Sequence, residues 1–207
     1  WQSAFWAVTA LAAIGAPLLY RSIPRDIRFQ ATSISTVAAS MRDVRLMAAV
    51  GFTGTILAAI YVVFTYFGPL IEASVGSSPE TRSAFLVLYG LGAVAGNAAG
   101  GFMSDRIGPV RTLYIICASQ AALMPLFSII PWNPVLFAVI VGLWSFFGWS
   151  FMAPQQSRLA AMAPNAASLA MALNATMIYV GIAIGSTVSA RILEWQGLAA
   201  LGVSAGA

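Results

Sequence analysis

Six long apolar runs dominate this chain: Ser3 to Tyr20, Leu46 to Ile71, Ala84 to Met103, Thr112 to Ile130, Val135 to Ala153 and Leu169 to Ala190. None holds an Asp, Glu, Lys or Arg at its centre. A helix needs about 20 apolar residues to cross a bilayer. A charge at mid-span costs about 2.5–3.5 kcal/mol on the insertion scale. Backbone polar groups in lipid must be satisfied within the protein, which leaves helices or closed barrels. Runs this long and continuous do not fit barrel strands. The expected fold class is therefore all-α integral membrane, a helical bundle.

Composition agrees. The 207 residues are 60% hydrophobic and 8% charged, with a mean hydropathy of +0.87, whereas soluble domains are about 25% charged. The pI of about 9.7 invites a nucleic-acid reading. The placement of charge excludes it: every basic residue is Arg, and the arginines sit at the ends of apolar runs instead of forming a basic face. Cys117 is the only cysteine, so the chain forms no internal disulfide. The first run has no basic segment before it and no small-residue cleavage site after it, so it does not read as a signal peptide. A seventh run begins near Gly197, and the expectation is a chain open at both ends.

The connections alternate in charge. Residues 21–45 carry Arg21, Arg25, Arg28, Arg42 and Arg45; the third connection carries Arg106 and Arg111, and the fifth Arg158. The connections between them hold one Arg with two Glu, no charge at all in "PWNP", and Arg191 with Glu194. Eight of the ten arginines thus share one side. The positive-inside rule makes that side cytoplasmic, which assigns residues 21–45, 104–111 and 155–165 to the cytoplasm of a multi-pass membrane protein. In "MAPNAAS", Asn165 or Ser168 is expected to cap the following helix.

Within the third connection lies a charged island, "GGFMSDRIGPVRT", residues 100–112. Its residues alone support a positive-inside anchor with Gly100, Gly101 and Gly108 bracketing Asp105 and Arg106 in a tight turn. The pattern Gly101, Asp105, Arg106, Gly108 also resembles the loop signature of the major facilitator superfamily. Pro109 and Val110 replace the usual basic pair, and Arg111 comes late. That weakening resembles the copy after span 8. "WQSAFWAVTALAAIGAPLLYRSIP" is similar to span 6 of the drug:proton antiporter and sugar-efflux group, and "VVFTYFGPLIEASVG" to span 7. "APQQSRLAAMAPNAASLAMALNATMIYVGIAIGSTVSARIL" is similar to the end of span 10, a cytoplasmic loop and span 11.

The resemblance implies a C-terminal half of a twelve-span fold: span 6 in 1–20, the linker between halves in 21–45, and the C-terminal bundle in 46–207. It implies a place in a bacterial inner membrane, a small-molecule substrate, the lipid bilayer and an N-terminal half of the same transporter as partners, a proton gradient as energy source, and no cofactor. The implied function is secondary transport, most simply proton-coupled efflux of drugs or sugar-like molecules; uptake by the same fold, or a non-transporting scaffold, remain alternatives. It further implies that Asp105 and Arg106 latch the two halves, with Asp105 favoured near a helix N-terminus.

Two small-residue ladders stand out. Gly92, Gly96 and Gly100 are spaced by four, as are Gly181 and Gly185. Such spacing lets helices approach closely in lipid. It serves either packing within the half or, on spans 8 and 11, a sliding contact between halves. The resemblance implies that spans 7 and 10 line the cavity, giving Tyr61, Phe64, Thr65, Tyr66 and Gly68, with Trp144, Ser145, Gly148 and Trp149, as candidate walls. Asn97 and Asn174 are amides at membrane depth, expected to face the bundle interior or to bond between helices. The six spans hold no acid, and the chain has no His. Clustered nucleophiles, acids or metal ligands at membrane depth are lacking, which argues against an intramembrane enzyme. No GxxxxGK[ST] loop occurs, so nothing in the sequence couples to ATP.

Overall fold

The computed structural model describes residues 2–22, 34–129 and 133–206. Every regular element among them is helical. The residues fall into two units, Trp1–Thr32 and Ser33–Ala207. The first contains α1 (Gln2–Ser22), which carries Pro17 within it and Arg21 in its last turn. The expected linker, 21–45, lies partly outside the described residues, Arg25 and Arg28 included; its remainder holds a helix, α2 (Ile34–Arg42).

The second unit continues through α3 (Val44–Phe64), α4 (Phe67–Val75), α5 (Pro79–Ile107), α6 (Pro109–Leu123), α7 (Pro134–Trp149), α8 (Met152–Met162), α9 (Ala167–Gln196) and α10 (Ala200–Gly206). Among the described residues, five stretches are long and apolar enough to cross a membrane: Val44–Phe64, Pro79–Ile107, Pro109–Ser128, Pro134–Met162 and Pro164–Gln196. Within α1, Val8–Ser22 is a shorter apolar helix.

The starts of these helices follow from local chemistry. Asp43 caps α3, its carboxylate accepting from the backbone N–H groups of Arg45 (2.9 Å) and Leu46 (3.2 Å). Ser78 caps α5 by accepting from Thr81 N–H, and Asn133 caps α7 by accepting from Val135 N–H. Helices α5, α6 and α7 each open with a proline in the first turn, where its missing N–H costs nothing. Helix α9 departs from expectation: neither Asn165 nor Ser168 caps it. A short 3-10 turn, Pro164–Ala166, feeds directly into it, and Ala166 at the cap position offers no side-chain acceptor.

Two apolar runs that read as single spans are broken. Helix α3 gives way to α4 at Thr65–Tyr66, and α7 gives way to α8 at Ser150–Phe151. At both breaks a side-chain hydroxyl adds a second hydrogen bond to a carbonyl that also accepts the backbone N–H four residues on. The Thr65 hydroxyl donates to Tyr61 O (2.6 Å). The Ser150 hydroxyl shares its proton between Phe146 O (2.7 Å) and Gly96 O (2.8 Å).

The principal seams are α3 against α9 and α5 against α7. Both glycine ladders lie inside them. A Cβ on Gly92 would overlap the Ser145 hydroxyl, one on Gly96 the Phe146 carbonyl, and one on Gly100 the Ser150 carbonyl. On α9, a Cβ on Gly181 would overlap the Gly54 carbonyl, and one on Gly185 that of Ala58. These faces are therefore covered within the unit. The expected sliding contact between halves is corrected to fixed packing, because backbone already fills the space.

A buried polar chain ties three helices together. Gln155 Nε2 on α8 donates to Ala49 O (2.6 Å) and to Thr53 Oγ1 (2.9 Å) on α3. Thr53 in turn donates to Asn174 Oδ1 on α9 (2.6 Å).

Candidate functional site

The aromatic residues expected to wall a cavity separate into two groups. Trp144 is 1% exposed. Its ring centroid lies 5.0 Å from Phe127, 5.2 Å from Tyr89 and 5.6 Å from Phe67. Ser145 is wholly buried, and its hydroxyl donates to Gly142 O (3.1 Å). Neither faces an open space, so the expectation that they form a wall is corrected: α5 closes over Ser145, and rings from α3, α4, α5 and the turn after α6 enclose Trp144. Tyr61 and Phe64 are half-buried, with rings 5.3 Å apart. Thr65 is exposed at the helix break, sharing a 3.0 Å hydrogen bond with Ser186 on α9. Tyr66 stands at the cap of α4, half-buried, with Gly68 just inside that helix.

Trp149 belongs to the second group. It is 37% exposed. With Asn97, Ala93, Val94 and Ala98 it lines an open groove of about 480 Å³ between α5 and α7. Its indole N–H donates to Tyr89 OH (3.0 Å). Asn97 is exposed in this groove and does not point into the packed interior. Asn174 does point inward, as the acceptor for Thr53. The groove thus offers a large aromatic face and one amide, and no charged residue lines it. Such a surface can stack on a flat or ring-shaped molecule and exchange neutral hydrogen bonds with it.

The sequence reading passed over Tyr89 and Gln155. Tyr89, Ala93 and Asn97 recur at four-residue spacing, a single stripe on α5, so a signal for Tyr89 existed. Gln155 sits in a polar stretch, "APQQSRL", and nothing local marks it as wholly buried.

The charged island is mostly helix. Gly100, Gly101, Asp105 and Arg106 all belong to α5, and the turn is Gly108 alone, at φ +86°. Gly108 N–H donates to Ser104 O (3.0 Å), closing α5, while Pro109 opens α6. Asp105 is therefore in the last turn of a helix and not near an N-terminus, which is the end the helix dipole disfavours for a carboxylate. It is exposed, and among the described residues it has no ion pair. The Arg106 guanidinium lies over the Phe102 ring, 4.3 Å from its centroid. Arg111 is exposed in the first turn of α6. Among the described residues, no cluster of His, Cys, Asp or Glu could hold a metal ion.

The family model of the Major Facilitator Superfamily matches residues 1–186. The chain belongs to the major facilitator superfamily. Its helical, multi-pass architecture is that of the family. The chain is 23% identical to an uncharacterised MFS-type transporter of Bacillus subtilis, over 97% of this chain and 52% of that protein. It is 29% identical to a probable sugar efflux transporter of Helicobacter acinonychis, over 100% of this chain and 53% of that protein. It is 25% identical to a chloramphenicol resistance protein of Streptomyces lividans, over 93% of this chain and 50% of that protein. The chain spans about half the length of the curated relatives it matches. No solved structure matches it.

Proposed function

We propose that this superfamily member acts within a secondary transporter that exports uncharged, ring-bearing small molecules at the expense of a proton gradient. Its residues serve as spans 6 to 11 with the start of span 12, paired with an N-terminal half. The groove of Trp149 and Asn97 carries the reading: an open, uncharged aromatic surface on a charge-poor bundle is a place for a neutral solute to rest. The relatives named for sugar efflux and chloramphenicol resistance support both the direction and the solute class. The proton carrier belongs to the N-terminal half on this reading, since the described spans bury no carboxylate. The arginine-rich ends, residues 21–45, 104–111 and 155–165, face the cytoplasm.

The test uses everted membrane vesicles from cells expressing the complete gene, with radiolabelled chloramphenicol and a radiolabelled neutral glycoside as probes. Trp149→Ala should raise KM about 3- to 10-fold through loss of stacking. Asn97→Ala should raise it about 5-fold through loss of one hydrogen bond. Unchanged transport of both probes in both variants sinks the reading. Asp105 sits exposed and unpaired at the disfavoured end of α5, a location that suits an acceptor from the other half. Asp105→Asn should then lower the transport rate while leaving probe binding within about 2-fold; equal effects on both would remove the latch.

A further inference from the structure

Trp149 borders two spaces, not one. Outside it lies the open groove with Asn97. Behind it lies a second, more enclosed cavity of about 60 Å³, bounded by Leu57, Ile60, Phe151, Ile178 and Ile182 among others. Of the residues lining this inner cavity, Tyr61 and Trp149 alone bring a side-chain O–H or N–H. Trp149 is the one residue common to both linings.

The two sides of the Tyr89–Trp149 hydrogen bond differ in freedom. Tyr89 is 9% exposed and held among rings, with centroids 4.9 Å from Phe64 and 5.2 Å from Trp144. Trp149 is 37% exposed, follows Gly148, and is the last residue of α7 before the break at Ser150–Phe151. One partner is fixed, and the other stands at the end of a helix with open space on one side. An apolar void of this kind stays dry and accepts apolar ligands.

We propose that Trp149 is a hinged partition latched by the Tyr89 hydroxyl, and that the inner cavity is a subsite for the apolar branch of an uncharged substrate whose polar end rests on Asn97. This rests on the reading of the groove as a substrate site, and it adds a chemical class: neutral molecules with a ring or polar head and a short hydrocarbon arm. Swinging the indole aside joins the two spaces. The cost is one neutral hydrogen bond, and the arm that enters covers the surface the indole leaves.

The test reads the inner cavity directly. In the full-length protein with Cys117→Ser and any further cysteines replaced, Leu57→Cys places a thiol on the inner wall. Its rate of reaction with methyl methanethiosulfonate reports how often the partition opens. The rate should be low with Tyr89 and Trp149 intact. It should rise about 3- to 10-fold in Tyr89→Phe and in Trp149→Phe, each of which removes one partner of the bond and keeps a ring. The double variant should be no faster than either single one, since both act on one bond. Thiol reactivity at the level of the urea-unfolded protein would mark lost folding, and Trp149→Ala, with the partition removed altogether, then serves as the second variant, expected to react at least as fast as the phenylalanine variants. Excess n-butyl β-D-glucoside should protect the thiol in Tyr89→Phe, and methyl β-D-glucoside should not. Rates within about 2-fold across all variants, or equal protection by the two glycosides, would overturn the partition. Lost transport in Trp149→Ala and Asn97→Ala beside unmoved labelling overturns the partition alone. Full transport in both overturns the groove reading itself, and the subsite with it.

Discussion

The α5–α7 seam and the α3–α9 seam are built on the same device and finished differently. Both bring glycines against carbonyls of the facing helix. Across α3–α9, hydroxyls and an amide then tie the helices at three levels: Thr53 to Asn174, Thr65 to Ser186, and Ser189 to Val62 O (2.6 Å). Across α5–α7 the ties are Ser150 to Gly96 O and Trp149 to Tyr89. The remaining contacts across it include two ring pairs, Tyr89 with Trp144 and Phe85 with Phe137. Polar ties fix a register, while aromatic contacts fill volume and leave an edge that can open. The groove adjoins the second kind of seam, whereas the inner cavity lies between α3 and α9 on one side and the break between α7 and α8 on the other. Trp149, at the end of α7, is the residue the two spaces share.

Breaking either seam outright should have the largest effect. Gly96→Leu drives a side chain into the Phe146 carbonyl, and Gly181→Leu into that of Gly54. Each should cost at least about 3 kcal/mol, seen as loss of folded protein on thermal denaturation in detergent. A Gly96→Leu protein of full stability that fails only in transport would restore the contact between halves. Next come two neighbouring glycines. Gly100→Ala meets the Ser150 backbone, whereas a Cβ on Gly101 would sit 3.8 Å from that of Ala153, an ordinary contact. The first should lose about 1–3 kcal/mol and the second less than about 0.5 kcal/mol. Equal losses would show that α5 can shift to accommodate either. A double-mutant cycle on Thr53→Val and Asn174→Leu should give a coupling of about 0.6 kcal/mol. A value near zero would deny the polar ties any part in the difference between the seams. The Arg82–Glu72 ion pair joins α5 to α4 away from both seams and is half-exposed. Arg82→Ala should cost less than about 0.5 kcal/mol, and less again in high salt.

The spans were legible because burial in lipid demands long apolar runs, and no tertiary detail is needed to see them. The ladders were legible as spacing, but their partners were not. A Gly at every fourth residue says that something comes close, and here that is backbone of the same unit. The breaks at Thr65–Tyr66 and Ser150–Phe151 were hidden because apolar residues continue through both. For the same reason Trp144 and Trp149 looked alike. They are five residues apart, which turns them about 140° from each other on α7, and one faces Tyr89 from within the core while the other reaches its hydroxyl from the edge. Asp105 was placed at the wrong end of a helix because the glycines before it suggested a turn. Asp105, Arg106 and Ile107 continue α5 from Ser104 up to Gly108 without a break, and a helix carries Gly100 and Gly101 easily once Ser150 and Ala153 lie against them.

A single residue, Gly108, joins α5 to α6. Two peptide steps separate Ile107 from Pro109, so the ends of the two helices cannot part by more than about 7 Å. There is no slack in that joint. A rod of 29 residues and its 15-residue neighbour are thus pinned end to end. Any tilt of α5 must therefore keep the start of α6 within that distance, at the charged end of the molecule where Asp105 and Arg111 stand on either side of Gly108.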